Sequence, residues 1–121
     1  MVQKVLIAGQ EGMVGNALYN LLKKKKFKII DCKRKKLDFT SQIQVDRWFK
    51  RHKPDIVINA AGRVGGILDN YTFQSDYLYL NTMIGMNIVN SSFKYDVKSC
   101  FKEIKETKII KSYYFFFKFY V

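Results

Sequence analysis

The sequence predicts an α/β protein built on a doubly wound parallel sheet, in the order β-α-β-α-β-α. Three observations lead to this fold class. Short apolar, β-branched runs alternate with longer segments in which apolar residues recur every three to four positions. A regular set of glycines follows the first apolar run. The connecting segments are short, which is typical of right-handed crossovers between parallel strands.

Composition limits the class of protein. The chain has 121 residues, of which 48% are hydrophobic, which is enough for one core and is unlike a disordered chain. Two cysteines, Cys32 and Cys100, and one histidine, His52, exclude a disulfide scaffold and a multi-ligand zinc site, so no metal is expected. No apolar run reaches the roughly 18–20 residues of a membrane span, and the N-terminus lacks a signal-peptide pattern. We therefore expect a cytoplasmic protein with no membrane partner.

Apolar runs at residues 5–8, 27–30 and 55–59 predict three strands. Continuous apolar runs of this length are typical of strands that are covered on both faces of a parallel sheet. A fourth strand is due just after Lys98. Residues 99–106 carry charges at alternate or adjacent positions, so they do not predict a buried strand.

Helical periodicity predicts helices over residues 14–22, about 43–52 and about 73–93. Thr40 or Ser41 is a good N-cap for the second of these helices. The three helices fall between the predicted strands or after the last of them. This alternation gives the first half of a doubly wound fold.

Glycines 9, 12 and 15 carry the main functional signal. Gly9, Gly12 and Gly15 have the spacing G-x-x-G-x-x-G between a predicted strand and a predicted helix. Glycine there permits a sharp turn, close approach of the backbone to a pyrophosphate and tight packing of helix on sheet. Met13 and Val14 begin the helix, whose first N–H groups are free to bind phosphate. The loop thus predicts a dinucleotide site on a Rossmann-type sheet.

Several segments carry a resemblance to a known family. Residues 9–15 read G-Q-E-G-M-V-G, and residues 60–67 read A-A-G-R-V-G-G-I. With Leu37-Asp38 and residues 79–84, they resemble the GDP-L-fucose synthase family of extended short-chain dehydrogenase/reductases, which are NAD-dependent epimerases/dehydratases. The resemblance covers about residues 3–98.

This resemblance implies an NADP-dependent epimerase-reductase that converts GDP-4-keto-6-deoxymannose to GDP-fucose with a Ser-Tyr-Lys set. The family's G-S-S-C-I-Y-P segment and sugar domain have no counterpart in these 121 residues. We therefore predict no catalytic residues and an N-terminal fragment, inactive alone. Residues 1–97 are expected to be a partial NAD(P)-binding domain. Residues 98–121 are expected to be a non-homologous basic and aromatic tail, either a frameshift product or a substitute strand.

The end of the second strand bears on the choice of cofactor. Asp31 would accept from the ribose 2′-OH of NAD, whereas Arg34, among the cations of residues 33–36, matches the family's 2′-phosphate-binding arginine. NADP is favoured and NAD stays open. Glu11 departs from the family, which commonly has Arg at this place in the loop. A carboxylate beside phosphates is unfavourable, so we expect the cofactor to bind weakly. By the same resemblance, the remaining cofactor contacts are expected at Asp38, Ala60, Ala61, Gly62 and Asn81.

Charge and edge patterns raise further expectations. The formal net charge is +12, but no nucleic-acid-binding module accompanies the basic runs, so nucleic acid is not an expected partner. A basic nucleic-acid-binding protein and a non-enzymatic nucleotide-binding module are kept as alternatives, and a GDP-sugar is implied by the family only. An expected strand order of 3-2-1-4-5-6 leaves the first strand without its neighbour. That open edge and the aromatic residues 113–117 predict self-association.

Overall fold

The sheet is a four-stranded parallel sheet, seen in a computed structural model that describes residues 1–100. Its strands lie in the order β2-β1-β3-β4. They are β1 (Lys4–Ala8), β2 (Lys28–Ile30), β3 (Ile56–Asn59) and β4 (Ser99–Cys100). The helices are α1 (Met13–Lys23), α2 (Gln42–His52), α3 (Ile67–Thr72) and α4 (Gln74–Lys94). The predicted α/β class and parallel sheet are confirmed, and residues 113–117 lie outside the described residues.

The order of the strands corrects one expectation. Leu6 of β1 is in register with Ile30 of β2 on one side and with Val57 of β3 on the other. The third strand therefore lies beside the first, and the expected order 3-2-1-4 is wrong. Because β1 has partners on both sides, the expected open edge at residues 5–8 is also wrong. The prediction of self-association through an open edge of β1 therefore no longer has structural support.

The fourth strand begins just after Lys98, where the alternation of helices and strands predicts it. Ser99 and Cys100 pair in parallel with Ile56 and Val57 of β3. The interpretation that residues 99–106 hold no buried strand is wrong at their first two residues, because two residues are too few to carry a recognisable periodicity. The division of the chain at residue 97 stays a prediction.

Helices cover both faces of the sheet. On one face, Leu6 and Val57 belong to a buried cluster with Phe49 of α2 and Ile88 of α4. On the other face, Leu18 of α1 joins a second cluster. The sheet residues in that second cluster are Val5, Ile7, Ile56 and Ile58. Alternate residues of β1 and β3 thus enter opposite cores, which is why these strands are apolar throughout.

Local residues fix the helix ends. Ser41 is the N-cap of α2, and its side chain accepts a hydrogen bond from the backbone N–H of Gln44 at 3.4 Å. One of the two predicted caps is thereby confirmed. Lys53 ends α2 in the left-handed conformation, with its N–H bonded to the carbonyl of Phe49. Asn87 of α4 donates to the carbonyl oxygen of Phe39 at 2.9 Å, which ties α4 to the segment before α2.

The structure adds one helix and shortens two strands. The six-residue α3 was not expected. β2 begins at Lys28 instead of residue 27, and β3 begins at Ile56 instead of residue 55. α4 begins one residue after the expected start. None of the helices within residues 1–100 combines the length and apolar character that a membrane crossing requires.

Candidate functional site

A cleft of about 850 Å³ lies over the carboxyl ends of the central strands. Its lining comes from the loops after β1, β2 and β3, and from α4. Ligands of doubly wound sheets bind at this edge, where crossovers leave to opposite faces. Seven of the predicted cofactor residues line it: Gly9, Gly12, Arg34, Asp38, Ala60, Ala61 and Gly62.

The glycine loop is held in contact with the loop after β3. Gly9 has φ = 78°, and a Cβ there would overlap the carbonyl group of Ala60. A Cβ at Gly15 would overlap the carbonyl oxygen of Gly9. The N–H of Gly12 closes the turn on the Gly9 oxygen at 3.0 Å. Two of the three glycines are therefore required by the backbone contacts themselves.

The start of α1 leaves donors beside the cleft. Gly12 is the N-cap and supplies no side-chain acceptor. The N–H of Asn16 bonds to the Gly12 oxygen at 2.8 Å, so the N–H groups of residues 13–15 precede the first bond of the helix. Met13 and Val14 do not line the cleft: the Met13 side chain is exposed and that of Val14 packs on the core. Their backbones are the groups available to a phosphate.

Two side chains of the glycine loop reach the segment after β2. The carboxamide oxygen of Gln10 accepts a hydrogen bond from the Cys32 N–H at 3.2 Å. The Glu11 carboxylate accepts from the Arg34 N–H at 3.1 Å. These bonds join two walls of the cleft. The bond between Glu11 and Arg34 could not be predicted from the sequence, because a partner 23 residues away leaves no local signal.

Asp31 has a cationic partner of its own. The Lys36 ammonium is hydrogen-bonded to its carboxylate and holds the pKa of Asp31 below its usual range. Asp31 is also outside the cleft lining. The neighbouring Cys32 is buried, and burial, with the Asp31 charge, raises the pKa of its thiol to about 12. The thiol therefore stays protonated at neutral pH.

Asp38 stabilises the turn that leads into α2. Its carboxylate accepts from the Thr40 N–H at 2.9 Å and from the Thr40 hydroxyl at 2.7 Å. Its own N–H donates to the Gln44 side chain at 3.3 Å. Both Asp38 and Thr40 line the cleft next to Leu37. Asp38 therefore borders the cleft from a turn that its own hydrogen bonds hold.

Asn81 of α4 holds the loop after β3 in place through hydrogen bonds to the backbone of Arg63. Its side-chain oxygen accepts from the Arg63 N–H at 2.6 Å, and its NH₂ group donates to the Arg63 carbonyl at 3.0 Å. Asn81 is not part of the cleft lining, so its predicted contact with cofactor stays a prediction. The Ala61 N–H is held in turn by the Asn59 side chain at 3.0 Å. These bonds fix the loop that presents Ala60, Ala61 and Gly62.

The described part of the chain contains no cluster of side chains that could hold a metal ion. Within residues 1–100, no three His, Cys, Asp or Glu side chains converge as metal ligands would. The cleft instead combines backbone donors, small residues and the guanidinium of Arg34. This combination suits a phosphorylated nucleotide.

The fold and the cleft define a nucleotide-binding domain of the doubly wound class. Residues 5–102 match the NAD dependent epimerase/dehydratase family. The chain belongs to this family. The resemblance to GDP-L-fucose synthases predicted from the glycine loop and the loop after β3 is confirmed by the relatives described next.

A GDP-L-fucose synthase of Sinorhizobium fredii is 38% identical over 96 residues, which are 79% of this chain and 31% of the relative. The GDP-L-fucose synthase 1 of Arabidopsis thaliana is 36% identical over 96 residues, 78% of this chain and 30% of the relative. Among solved structures, a GDP-mannoheptose C4 reductase of Campylobacter jejuni with NADP bound superposes with a TM-score of 0.77 at 34% identity. That likeness covers 82% of this chain and 30% of the reductase. The chain thus spans about a third of its relatives' length.

Proposed function

We propose that this chain is the NADP-binding part of a nucleotide-sugar epimerase-reductase similar to GDP-L-fucose synthase. The observation that carries the proposal is the cleft in which the glycine loop, residues 9–12, and Arg34 meet, next to the start of α1. The relatives add support, since one solved neighbour has NADP bound. NADPH, when bound, supplies the hydride of a reduction.

The cleft residues suit the parts of a dinucleotide. The free N–H groups of residues 13–15 would hold the pyrophosphate, and glycine at position 12 keeps that approach open. Asp38 would face the adenine side. Ala60, Ala61 and Gly62 would border the ribose on the nicotinamide side, where small residues leave room.

The charges near β2 favour NADP over NAD. A carboxylate that recognises the 2′-OH of NAD must be free to accept from it, and Asp31 is instead bonded to Lys36. Arg34 lines the cleft and offers a guanidinium, which can bind a phosphate through two parallel hydrogen bonds. The 2′-phosphate is thus the feature that this wall is equipped to recognise.

The test is calorimetry with NADP and NAD on the wild-type chain, Arg34→Ala and Arg51→Ala. Arg51 is an exposed residue of α2 outside the cleft, so its loss matches the change in charge. We expect NADP to bind more tightly than NAD. Arg34→Ala should weaken NADP binding about 10- to 100-fold, the usual value of a charge-assisted hydrogen bond, and Arg51→Ala should change it little. Equal affinities that Arg34→Ala leaves unchanged would remove the proposed role.

The substrate and the activity are proposed by family. We propose a GDP-4-keto-6-deoxy sugar as the substrate of the complete enzyme, and no turnover by these 121 residues alone. Tyr19 and Lys23 fit the spacing Y-x-x-x-K of the reductase signature, but Tyr19 packs in the cluster between α1 and the sheet, outside the cleft lining. Tyr114 and Lys118 have the same spacing and lie outside the described residues.

A spectrophotometric assay tests this part. NADPH absorbance should stay constant when the sugar nucleotide is added to the 121-residue chain, because general acid catalysis needs a positioned acid. Steady oxidation that depends on the sugar nucleotide would contradict the proposal. The same assay separates a fragment without activity from a working enzyme. A non-enzymatic nucleotide-binding module would give calorimetric binding with no oxidation.

We also propose a cytoplasmic location. The proposal is supported by the two free thiols, Cys32 and Cys100, which suit a reducing compartment. Fractionation of cells that express the chain with an epitope tag tests it, and recovery in a secreted or membrane fraction would contradict it.

A further inference from the structure

Glu11 has two opposing effects on the cleft. Its carboxylate lies in the lining, and it accepts the backbone N–H of Arg34 at 3.1 Å. The hydrogen bond holds the backbone that carries the proposed phosphate-binding guanidinium. The negative charge opposes a phosphate in the same space.

The hydrogen bond fixes an otherwise exposed segment. Residues 33–36 are exposed, and the turn from Lys33 to Lys36 is closed by one backbone bond of 2.8 Å. Among the side-chain hydrogen bonds of residues 1–100, the one made to the backbone of Arg34 comes from Glu11. Gln10, the residue before Glu11, makes a similar bond, because its side-chain oxygen accepts from the N–H of Cys32. Two consecutive side chains of the glycine loop therefore set the position of this wall.

The charge of Glu11 affects phosphate binding because the positive and negative side chains that line the cleft are equal in number. The lining includes two carboxylates, Glu11 and Asp38, and two guanidiniums, Arg34 and Arg63. The lining is therefore close to neutral although the whole chain carries +12. Removing the charge of Glu11 would leave one net positive charge in the cleft, next to the wall that Arg34 occupies.

We propose that Glu11 is a specificity-determining residue of the cleft, which positions Arg34 through its hydrogen bond and reduces the preference for NADP over NAD through its charge. This inference rests on the proposed NADP site. It predicts that the two effects separate when the carboxylate is replaced by a group of the same shape and by a group that cannot accept a hydrogen bond.

The variants are Glu11→Gln, Glu11→Ala and, as a matched charge control, Asp76→Asn. Glutamine keeps an acceptor oxygen and loses the charge. Alanine loses both. Asp76 is an exposed acidic residue of α4 outside the cleft lining. Two measurements are made on each chain: the affinities for NADP and NAD by calorimetry, and the hydrogen exchange of the Arg34 amide by NMR without cofactor.

Glu11→Gln should raise the ratio of NADP to NAD affinity about three- to tenfold, as expected for one screened unit charge near a phosphate. Its Arg34 amide should exchange as in the wild type. Glu11→Ala should speed exchange of that amide about tenfold or more and give a smaller ratio than Glu11→Gln. Asp76→Asn should match the wild type in both measurements.

An unchanged ratio in Glu11→Gln, or an unchanged Arg34 exchange rate in Glu11→Ala, would overturn the inference while wild-type binding of NADP keeps the proposed function. Failure of every chain to bind either dinucleotide would overturn the proposed function itself, and the inference with it. The exchange measurement needs no cofactor, so it shows independently whether Glu11 holds the Arg34 backbone.

Discussion

Helices α2 and α3 both carry large apolar residues, yet they are stabilised differently. In α2, Val45, Trp48 and Phe49 are buried against the sheet and α4. In α3 no residue is buried, and Ile67 and Leu68 are 93% and 77% exposed. Apolar composition alone therefore does not tell which helix belongs to the core. The spacing of the apolar residues and the surface that they face decide it.

Local hydrogen bonds hold the α3 region instead of burial. Asn70 donates from its side chain to the Gly65 carbonyl at 3.1 Å, and Thr72 bonds to the Leu68 carbonyl at 2.9 Å. Such exposed bonds contribute little net stability each. The comparison predicts that substitutions in the α2 core change the stability of the fold, whereas substitutions of exposed apolar residues change association.

The largest effect is expected from Phe49→Ala. Phe49 is fully buried, so the change should lower the free energy of unfolding by about 3–5 kcal/mol. Phe93→Ala is the matched control, because Phe93 is 86% exposed and should change stability by under about 0.5 kcal/mol. Urea unfolding followed by circular dichroism measures both. Similar losses of stability for the two variants would show that burial does not distinguish the apolar residues of the core from the exposed ones.

Gly15→Ala is expected to follow. The added methyl group would overlap the Gly9 carbonyl, so α1 or the glycine loop must shift, at a cost of about 2–3 kcal/mol. Gly66→Ala is the control, since a Cβ there meets nothing within 4 Å. Thermal unfolding of both variants is the measurement. If the Tm of Gly15→Ala equals that of the wild type, Gly15 does not pack as closely on the Gly9 carbonyl as the structure shows.

Self-association should depend on the exposed side chains of α3. We expect the wild-type chain to elute from size-exclusion chromatography above the monomer mass of 14.3 kDa. Leu68→Glu with Tyr71→Glu should return it toward the monomer. Gln42→Glu, a charge added on the exposed start of α2, should not. A monomeric wild type, or an equal effect of the control, would contradict this prediction.

The smallest effect is a pH dependence at the contact between α2 and α4. The Lys94 ammonium, hydrogen-bonded to Asp46 at 2.7 Å, lowers the pKa of Asp46 from its usual 3.8. A lowered folded-state pKa adds stability above pH 3.8, and this stability is lost as the pH falls through the folded value. Asp46→Asn should therefore lower the Tm slightly at pH 7, with the difference closing below pH 3.8.

Asp96→Asn is the control for this measurement. Asp96 is exposed and adopts a positive φ of 52°, a conformation that asparagine tolerates. Its Tm should stay near that of the wild type across the same pH range. A difference between Asp46→Asn and wild type that does not shrink as the pH falls below 3.8 would exclude the Asp46 charge as its source.

Local pattern predicted most of the sheet, whereas the glycine spacing and the family resemblance together predicted seven residues of the cleft lining. The apolar runs gave β1 and β3, the glycine spacing gave the turn at Gly9, and the polar residue before the second helix gave its cap at Ser41. Each of these features depends on residues close together in the chain. The seven predicted cofactor residues meet in the cleft because the carboxyl ends of parallel strands share one edge of the sheet.

The features that the sequence did not reveal depend on distant partners. The position of β3 beside β1 is set by pairing across about 50 residues, and no local pattern records it. β4 has two residues, and α3 has six with no buried face. The hydrogen bonds of Glu11 to Arg34 and of Asn81 to Arg63 span 23 and 18 residues. Only the folded chain brings these pairs together.

We propose that the cleft at the ends of β1 and β3 binds NADP. NMR titration of the ¹⁵N-labelled chain with NADP shows whether it does. The amide signals of Gly12, Gly15, Arg34 and Gly62 should shift with saturation, while those of Leu68 and Tyr71 in α3 should stay in place. Shifts confined to α3, or none at all, would contradict it.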